Sequence, residues 1–229
     1  MIAENLAHLR SRIRKAAQRC NRKYQDITLI AVSKKKSDED ILQAYTAGQL
    51  AFGENYLQEA AAKINILPDD ICWHFIGHLQ RNKAKLAVSH FAVIETVDRL
   101  QLASLLNTHA AALKKTIKIL IQVNIGEEQQ KSGVSPAETA TLLTQIKKMP
   151  HLQATGLMII PPYCPDPDDA RLFFIKARQL SRQLADKGLF YDNNKVDLSM
   201  GMSHDFEVAI EEGATIIRVG TALFGARTY

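Results

Sequence analysis

A lysine that leaves a buried strand is suited to amine chemistry, and this chain has one. The stretch Ile27-Thr28-Leu29-Ile30-Ala31-Val32-Ser33 runs directly into Lys34-Lys35-Lys36. Five of its seven residues are apolar and no polar alternation interrupts them, the pattern of a parallel strand covered on both faces. At the carboxyl edge of such a sheet, with its stem in apolar surroundings, Lys34 suits Schiff-base formation with a carbonyl compound. The plainer reading of three consecutive lysines is a solvated turn or a weak anionic patch.

A second group of residues favours an anion. In Ser199-Met200-Gly201-Met202-Ser203 a glycine between small hydroxyl residues permits close backbone approach, and the helix that follows offers N-terminal amides. Arg218-Val219-Gly220-Thr221 brings a guanidinium, a glycine and a hydroxyl to the next strand end. Each segment alone is as well explained by a tight turn and a helix cap. Paired after the seventh and eighth strands of a barrel, they favour phosphate.

The elements that must position these residues follow from hydrophobic spacing. Apolar runs predict strands over 27–33, 50–53, 73–76, 93–96, 117–124, 152–158, 196–199 and 215–219. Between them, periodic segments predict helices, among them 56–66, 81–88, one capped by Asp98 and running through Leu106, 168–187 and 206–211. Ser37 reads as an N-cap, and Ser135-Pro136 as a cap with proline at the first helical position. Ile2, Leu6, Leu9, Ile13 and Ala17 predict an additional N-terminal helix, expected to pack across the barrel as a lid or plug. Strand and helix alternating eight times without a linker predict an α/β fold, a single (β/α)8 TIM barrel spanning residues 1–229, with an open doubly wound sheet as the alternative.

Composition narrows the class. The length of 229 residues suits a single barrel, and 46% hydrophobic with 23% charged residues excludes a disordered chain. A formal charge of +5 favours phosphate-bearing ligands, but the basic residues are scattered among acidic ones, which argues against nucleic acid. Cys20, Cys72 and Cys164 are far apart and show no zinc spacing, so reduced thiols and no metal are expected. The start lacks the apolar core of a signal peptide, and no apolar run is long enough to span a bilayer, so a cytoplasmic protein is expected.

The segments Ala31-Val32-Ser33-Lys34, Phe52-Gly53-Glu54-Asn55-Tyr56, Trp73-His74-Phe75-Ile76-Gly77, Leu79-Gln80-Arg81-Asn82-Lys83 and Lys131-Ser132-Gly133 carry a family resemblance. So do Gly156-Leu157-Met158, Leu198 to Ser203 and Arg218 to Gly225. In this order they resemble the pyridoxal phosphate homeostasis proteins, the YggS/PROSC type, over nearly the whole chain. The resemblance implies a fold-type III barrel, like the N-terminal domain of alanine racemase, that holds pyridoxal 5′-phosphate (PLP) as an internal aldimine on Lys34. By the same match Ser203, Gly220 and Thr221 hold the phosphate, Ser199 and Gly201 shape that pocket, and Arg218 faces the pyridine nitrogen. Asn55, His74 and Met200 line the ring. His78 departs from the family pattern, in which proline is common at that position.

Two functions compete on this reading. An arginine at the pyridine nitrogen keeps it unprotonated and makes the ring a poorer electron sink. Racemases of this barrel type also draw a catalytic tyrosine from a second domain, whereas this chain stops at Tyr229. A carrier and homeostasis protein without substantial turnover is therefore expected, monomeric, with PLP-dependent apoenzymes as possible recipients. The alternative is a PLP-dependent amino-acid racemase or related enzyme whose second base comes from the barrel, for example Tyr56 or His74. A third reading, a nucleic-acid or acidic-partner module using the lysine cluster, is the least favoured.

Overall fold

The computed structural model describes residues 1–225; Tyr229, read above as the chain's stopping point, lies outside them. Eight parallel strands close into a barrel in chain order. They are β1 (Thr28–Val32), β2 (Ala51–Glu54), β3 (Cys72–Phe75), β4 (Val93–Val97), β5 (Ile117–Val123), β6 (Leu152–Ile159), β7 (Asp197–Ser199) and β8 (Ile216–Val219). β8 pairs back onto β1 with Ala31 opposite Val219, which closes the ring and excludes the open sheet. The helices are α1 (Ile2–Arg19), α2 (Asp38–Thr46), α3 (Leu57–Ile64), α4 (Ala84–His90), α5 (Leu100–Ala112), α6 (Pro136–Ile146), α7 (Arg171–Asp186), α8 (Phe206–Glu211) and α9 (Thr221–Phe224).

Local chemistry accounts for several boundaries. Ser37 Oγ accepts from the Asp40 amide at 3.2 Å, and Ser135 Oγ from the Glu138 amide at 3.3 Å, each satisfying a helix donor that has no intrahelical partner. Asp98 does not cap α5. Arg99 occupies the N-cap in an extended conformation, and the Asp98 carboxylate is taken by the Arg99 guanidinium. The long seventh helix also starts later than its sequence pattern: residues Pro167–Ala170 form a 3-10 turn capped by Asp166, and the α-helix begins at Arg171.

The N-terminal helix is neither lid nor plug. Asn5 Nδ2 donates to Leu223 O of α9 at 2.9 Å, Arg10 to Ala47 O and Gly48 O at 3.0 and 2.7 Å, and Arg12 pairs with Glu207 of α8 at 3.1 Å. α1 therefore lies in the outer helical layer between α8 and α2, with Leu6, Leu9 and Ile13 buried. The cause is geometric: among the described residues, β8 is followed only by the four-residue α9, which is too short to cover the seam where β8 meets β1.

Two apolar clusters result. The larger fills the layer between strands and helices. The smaller, Ile30, Leu120, Met158 and Ile216, draws on four strands around the ring and so occupies the barrel interior. Gly156 lets β6 approach β7: a Cβ there would lie 1.8 Å from Asp197 O. Gly156→Ala is expected to destabilise by about 1–3 kcal/mol through this overlap. Urea unfolding checks it, and a midpoint equal to that of the unsubstituted chain would contradict the close approach.

Candidate functional site

The carboxyl ends of β1, β2, β7 and β8 carry most of the residues singled out in the sequence. Lys34 is half-buried in the turn that leaves β1. That turn is tied down on both sides. Ser33 is buried, and its Oγ donates to Glu54 Oε1 at 2.8 Å. Lys63, on α3, donates from Nζ to Ser33 O at 2.9 Å, to Glu54 Oε1 at 2.8 Å and to Glu59 Oε1 at 2.6 Å. Glu59 Oε1 also accepts from the Lys35 amide at 2.5 Å, and Lys35 adopts φ 59°. Burial pushes the Glu54 carboxyl up, against the opposing pull of Lys63 and Ser33. The three lysines thus part company: Lys35 is exposed, and Lys36 donates to Phe224 O at 3.2 Å.

The loops after β7 and β8 form the second half. Ser203 Oγ accepts from the amides of Gly220 and Ala222 at 3.3 and 3.4 Å, so backbone donors converge where α9 begins. Gly201 has φ +91°, and a Cβ there would stand 2.5 Å from the Ala209 side chain, so the turn requires glycine. Gly220 faces the end of β1, where an added Cβ would meet Val32 at 3.4 Å. Thr221 is exposed beside it. Met200, next to Gly201, is fully buried in the layer between strands and helices.

Beneath the rim runs a buried polar row. Arg218 donates to Ser199 Oγ at 2.6 Å and to Ile159 O at 2.8 Å. Ser199 Oγ donates in turn to Glu95 Oε2 at 2.5 Å, and Glu95 Oε1 meets His74 Nδ1 at 2.7 Å. His74 Nε2 lies 3.6 Å from Cys72 Sγ. Burial works against a charged His74, but its hydrogen bonds to Cys72 and Glu95, with the Glu95 charge, outweigh burial and carry the ring up to about 9. Burial likewise resists the Glu95 charge, yet His74, Arg218 and Ser199 hold that carboxyl below its ordinary value. Desolvation lowers the Arg218 guanidinium, opposed by the charges of Glu95 and Asp205. His74 is therefore set inside the barrel with both ring nitrogens engaged, not presented on the rim.

Toward β2–β6 the rim opens into a cavity of about 320 Å³ lined by Asn55, Gly77, His78, Thr96, Gln122 and Lys131, among others. Asn55 Oδ1 is buried without a partner among the described residues, an acceptor available to a ligand. His78 Nδ1 lies 3.4 Å from Ser132 Oγ. Glu95, Lys63 and Glu59 were not singled out in the sequence. Glu95 carried a signal there, a carboxylate inside the apolar strand Val93-Ile94-Glu95-Thr96.

A match to the family described as Alanine racemase, N-terminal domain, spans residues 5–228. The Pyridoxal phosphate homeostasis protein of Pasteurella multocida (strain Pm70) is 44% identical over all of this chain and 98% of its own length. The protein of that name from Escherichia coli (strain K12) is also 44% identical, over all of this chain and 97% of its own. The chain belongs to the pyridoxal phosphate homeostasis protein family. Among solved structures, PipY of Synechococcus elongatus PCC7942 is similar with a TM-score of 0.87 at 40% identity without PLP, covering 98% of this chain and all of its own. The PLP-bound form of PipY gives a TM-score of 0.85 at 39% identity, with the same coverage. The alanine racemase of Corynebacterium glutamicum shares the fold at 19% identity and a TM-score of 0.75. It covers 98% of this chain, which in turn accounts for 62% of the racemase.

Proposed function

We propose that this protein binds pyridoxal 5′-phosphate and serves in its homeostasis, holding the cofactor without substantial turnover. The observation that carries the reading is the pairing of β1 with β8: it brings the Lys34 turn next to the Gly220 and Ala222 amides gathered on Ser203. Asn55 Oδ1 on the same rim, without a partner among the described residues, supports the fit of a polar ligand.

PLP, when bound, supplies an aldehyde that condenses with amines and a ring that draws electrons from what is attached to it. In our reading Lys34 supplies the amine. Ser203, Gly220 and Thr221 take the phosphate in the pocket that Ser199 and Gly201 shape, and Asn55 meets the ring's edge. Arg218 stands behind with a fixed positive charge, which keeps a pyridine nitrogen beside it unprotonated. His74 supports the pocket from below, with its nitrogens committed to Glu95 and Cys72, so it is not offered to a substrate proton. We read residues 1–229 as a single domain acting as a monomer in the cytoplasm, with PLP-dependent apoenzymes as recipients; among the described residues no helix is long and apolar enough to cross a membrane.

Borohydride reduction of the PLP-loaded protein, followed by peptide mapping, is expected to put a pyridoxyl group on Lys34, and Lys34→Ala to remove it from that peptide. No adduct on Lys34 would overturn the binding mode. α-Proton exchange of amino acids in deuterated water separates holding from turnover: exchange at enzyme-like rates would refute the carrier reading.

A further inference from the structure

Lys34 leaves its strand through a turn that the chain anchors with groups outside the rim. Ser33, before it, is held by its carbonyl on Lys63 Nζ at 2.9 Å and by its hydroxyl on Glu54 at 2.8 Å. Lys35, after it, is held by its amide on Glu59 at 2.5 Å, in a left-handed conformation of φ 59° that is strained for a residue with a side chain. One ammonium joins the two anchors, because Lys63 donates to both Glu54 and Glu59, at 2.8 and 2.6 Å, while its side chain is only 7% exposed. Three donors of one buried lysine are thus spent on Ser33 and on the two carboxylates that hold Ser33 and Lys35. Glu54 is fully buried, with its second oxygen lacking a partner among the described residues, so the cluster is expensive to bury. An apolar contact between α3 and the strands would stabilise the fold at least as well.

We propose that Lys63 is a positioning residue for Lys34: its ammonium clamps the residues on either side and sets the direction in which the Lys34 amine leaves the strand. The inference rests on the reading of Lys34 as the attachment point and adds the groups that aim it. Among the described residues, the clamp's hydrogen bonds run between β1, β2 and α3 and not to the loops after β7 and β8 that gather on Ser203. The clamp therefore governs the rate of attachment through the amine, not the hold on the phosphate.

The test separates those two quantities. PLP attachment is followed by the rise of visible absorbance and by borohydride trapping. Reversible affinity is measured with 4′-deoxypyridoxine 5′-phosphate, which has the phosphate and ring but no aldehyde. Lys63→Met is expected to slow attachment at least about tenfold, the scale of effect for a misdirected reacting group, with analogue affinity within about twofold of the unsubstituted chain. Glu59→Gln, at a partly exposed carboxylate, guards against failure of the first variant to fold and is expected to slow attachment in the same sense. An unchanged attachment rate in a folded variant overturns the inference, and so does an equal loss of attachment and analogue affinity, the mark of general damage. If the unsubstituted protein forms no adduct on Lys34, the function reading fails and the clamp has no amine to aim.

Discussion

Glu95→Ala is expected to destabilise the protein by about 3–5 kcal/mol, the range for removing one partner of a buried charge pair. Glu95 is wholly inaccessible to solvent, and its two oxygens separately meet His74 Nδ1 at 2.7 Å and Ser199 Oγ at 2.5 Å. Alanine would strand a charged imidazole and weaken the support of Arg218, whose guanidinium reaches Glu95 through Ser199. Urea unfolding of the purified variant measures the loss. Glu95→Gln keeps the shape and a hydrogen-bonding oxygen while removing the charge, so its loss should be smaller. A shift below about 1 kcal/mol in the alanine variant would mean that the row does not behave as a buried charge pair.

Stability is expected to fall as pH rises from near 7 toward 10, and His74 is the main cause. Its folded value of about 9 lies above the ordinary histidine value of 6.5. The stabilisation is therefore complete below the unfolded value and is lost as pH climbs through the folded one. The difference corresponds to something on the order of 3 kcal/mol. On the acid side Glu95 acts in the opposite sense: its carboxyl is held below the ordinary value, so its contribution is present above that value and disappears as pH falls through the folded one. Thermal unfolding across pH 5–10 checks both limbs. Glu95→Gln should lower the alkaline limb, because His74 would then keep only Cys72 of the two partners that hold it charged. An alkaline limb of undiminished height in that variant would assign the effect to other groups.

The placement of much of the candidate site was legible because barrels project strand ends onto one rim. Lys34, Ser199, Ser203, Arg218 and Gly220 sit at or just beyond ends that apolar runs mark in the sequence, and the pairing of neighbouring β7, β8 and β1 brings them together. Which side of the wall each side chain takes follows from alternation along the strand: Ser199 points inward to Glu95, and Met200 after it goes to the outer layer. The N-terminal helix was legible as a helix from its spacing. Its destination was not, because the same apolar face would serve on a rim or in an outer wall. Only its bonds to α9, to the end of α2 and to α8 fix it in the outer wall beside β8 and β1.

The sequence by itself determined the alternation of strand and helix, the caps at Ser37 and Ser135, and the lysine at the first strand exit. These depend on local periodicity and on side chains bonding to nearby backbone. Tertiary structure alone decided which charges meet. Lys63 lies 29 residues beyond Lys34 in the chain, and Glu95 is separated from Ser199 by 104 residues. Contacts at such separations are fixed by strand register and helix packing, so no reading of neighbours along the chain reveals that one lysine holds the turn of another or that a buried carboxylate keeps His74 charged.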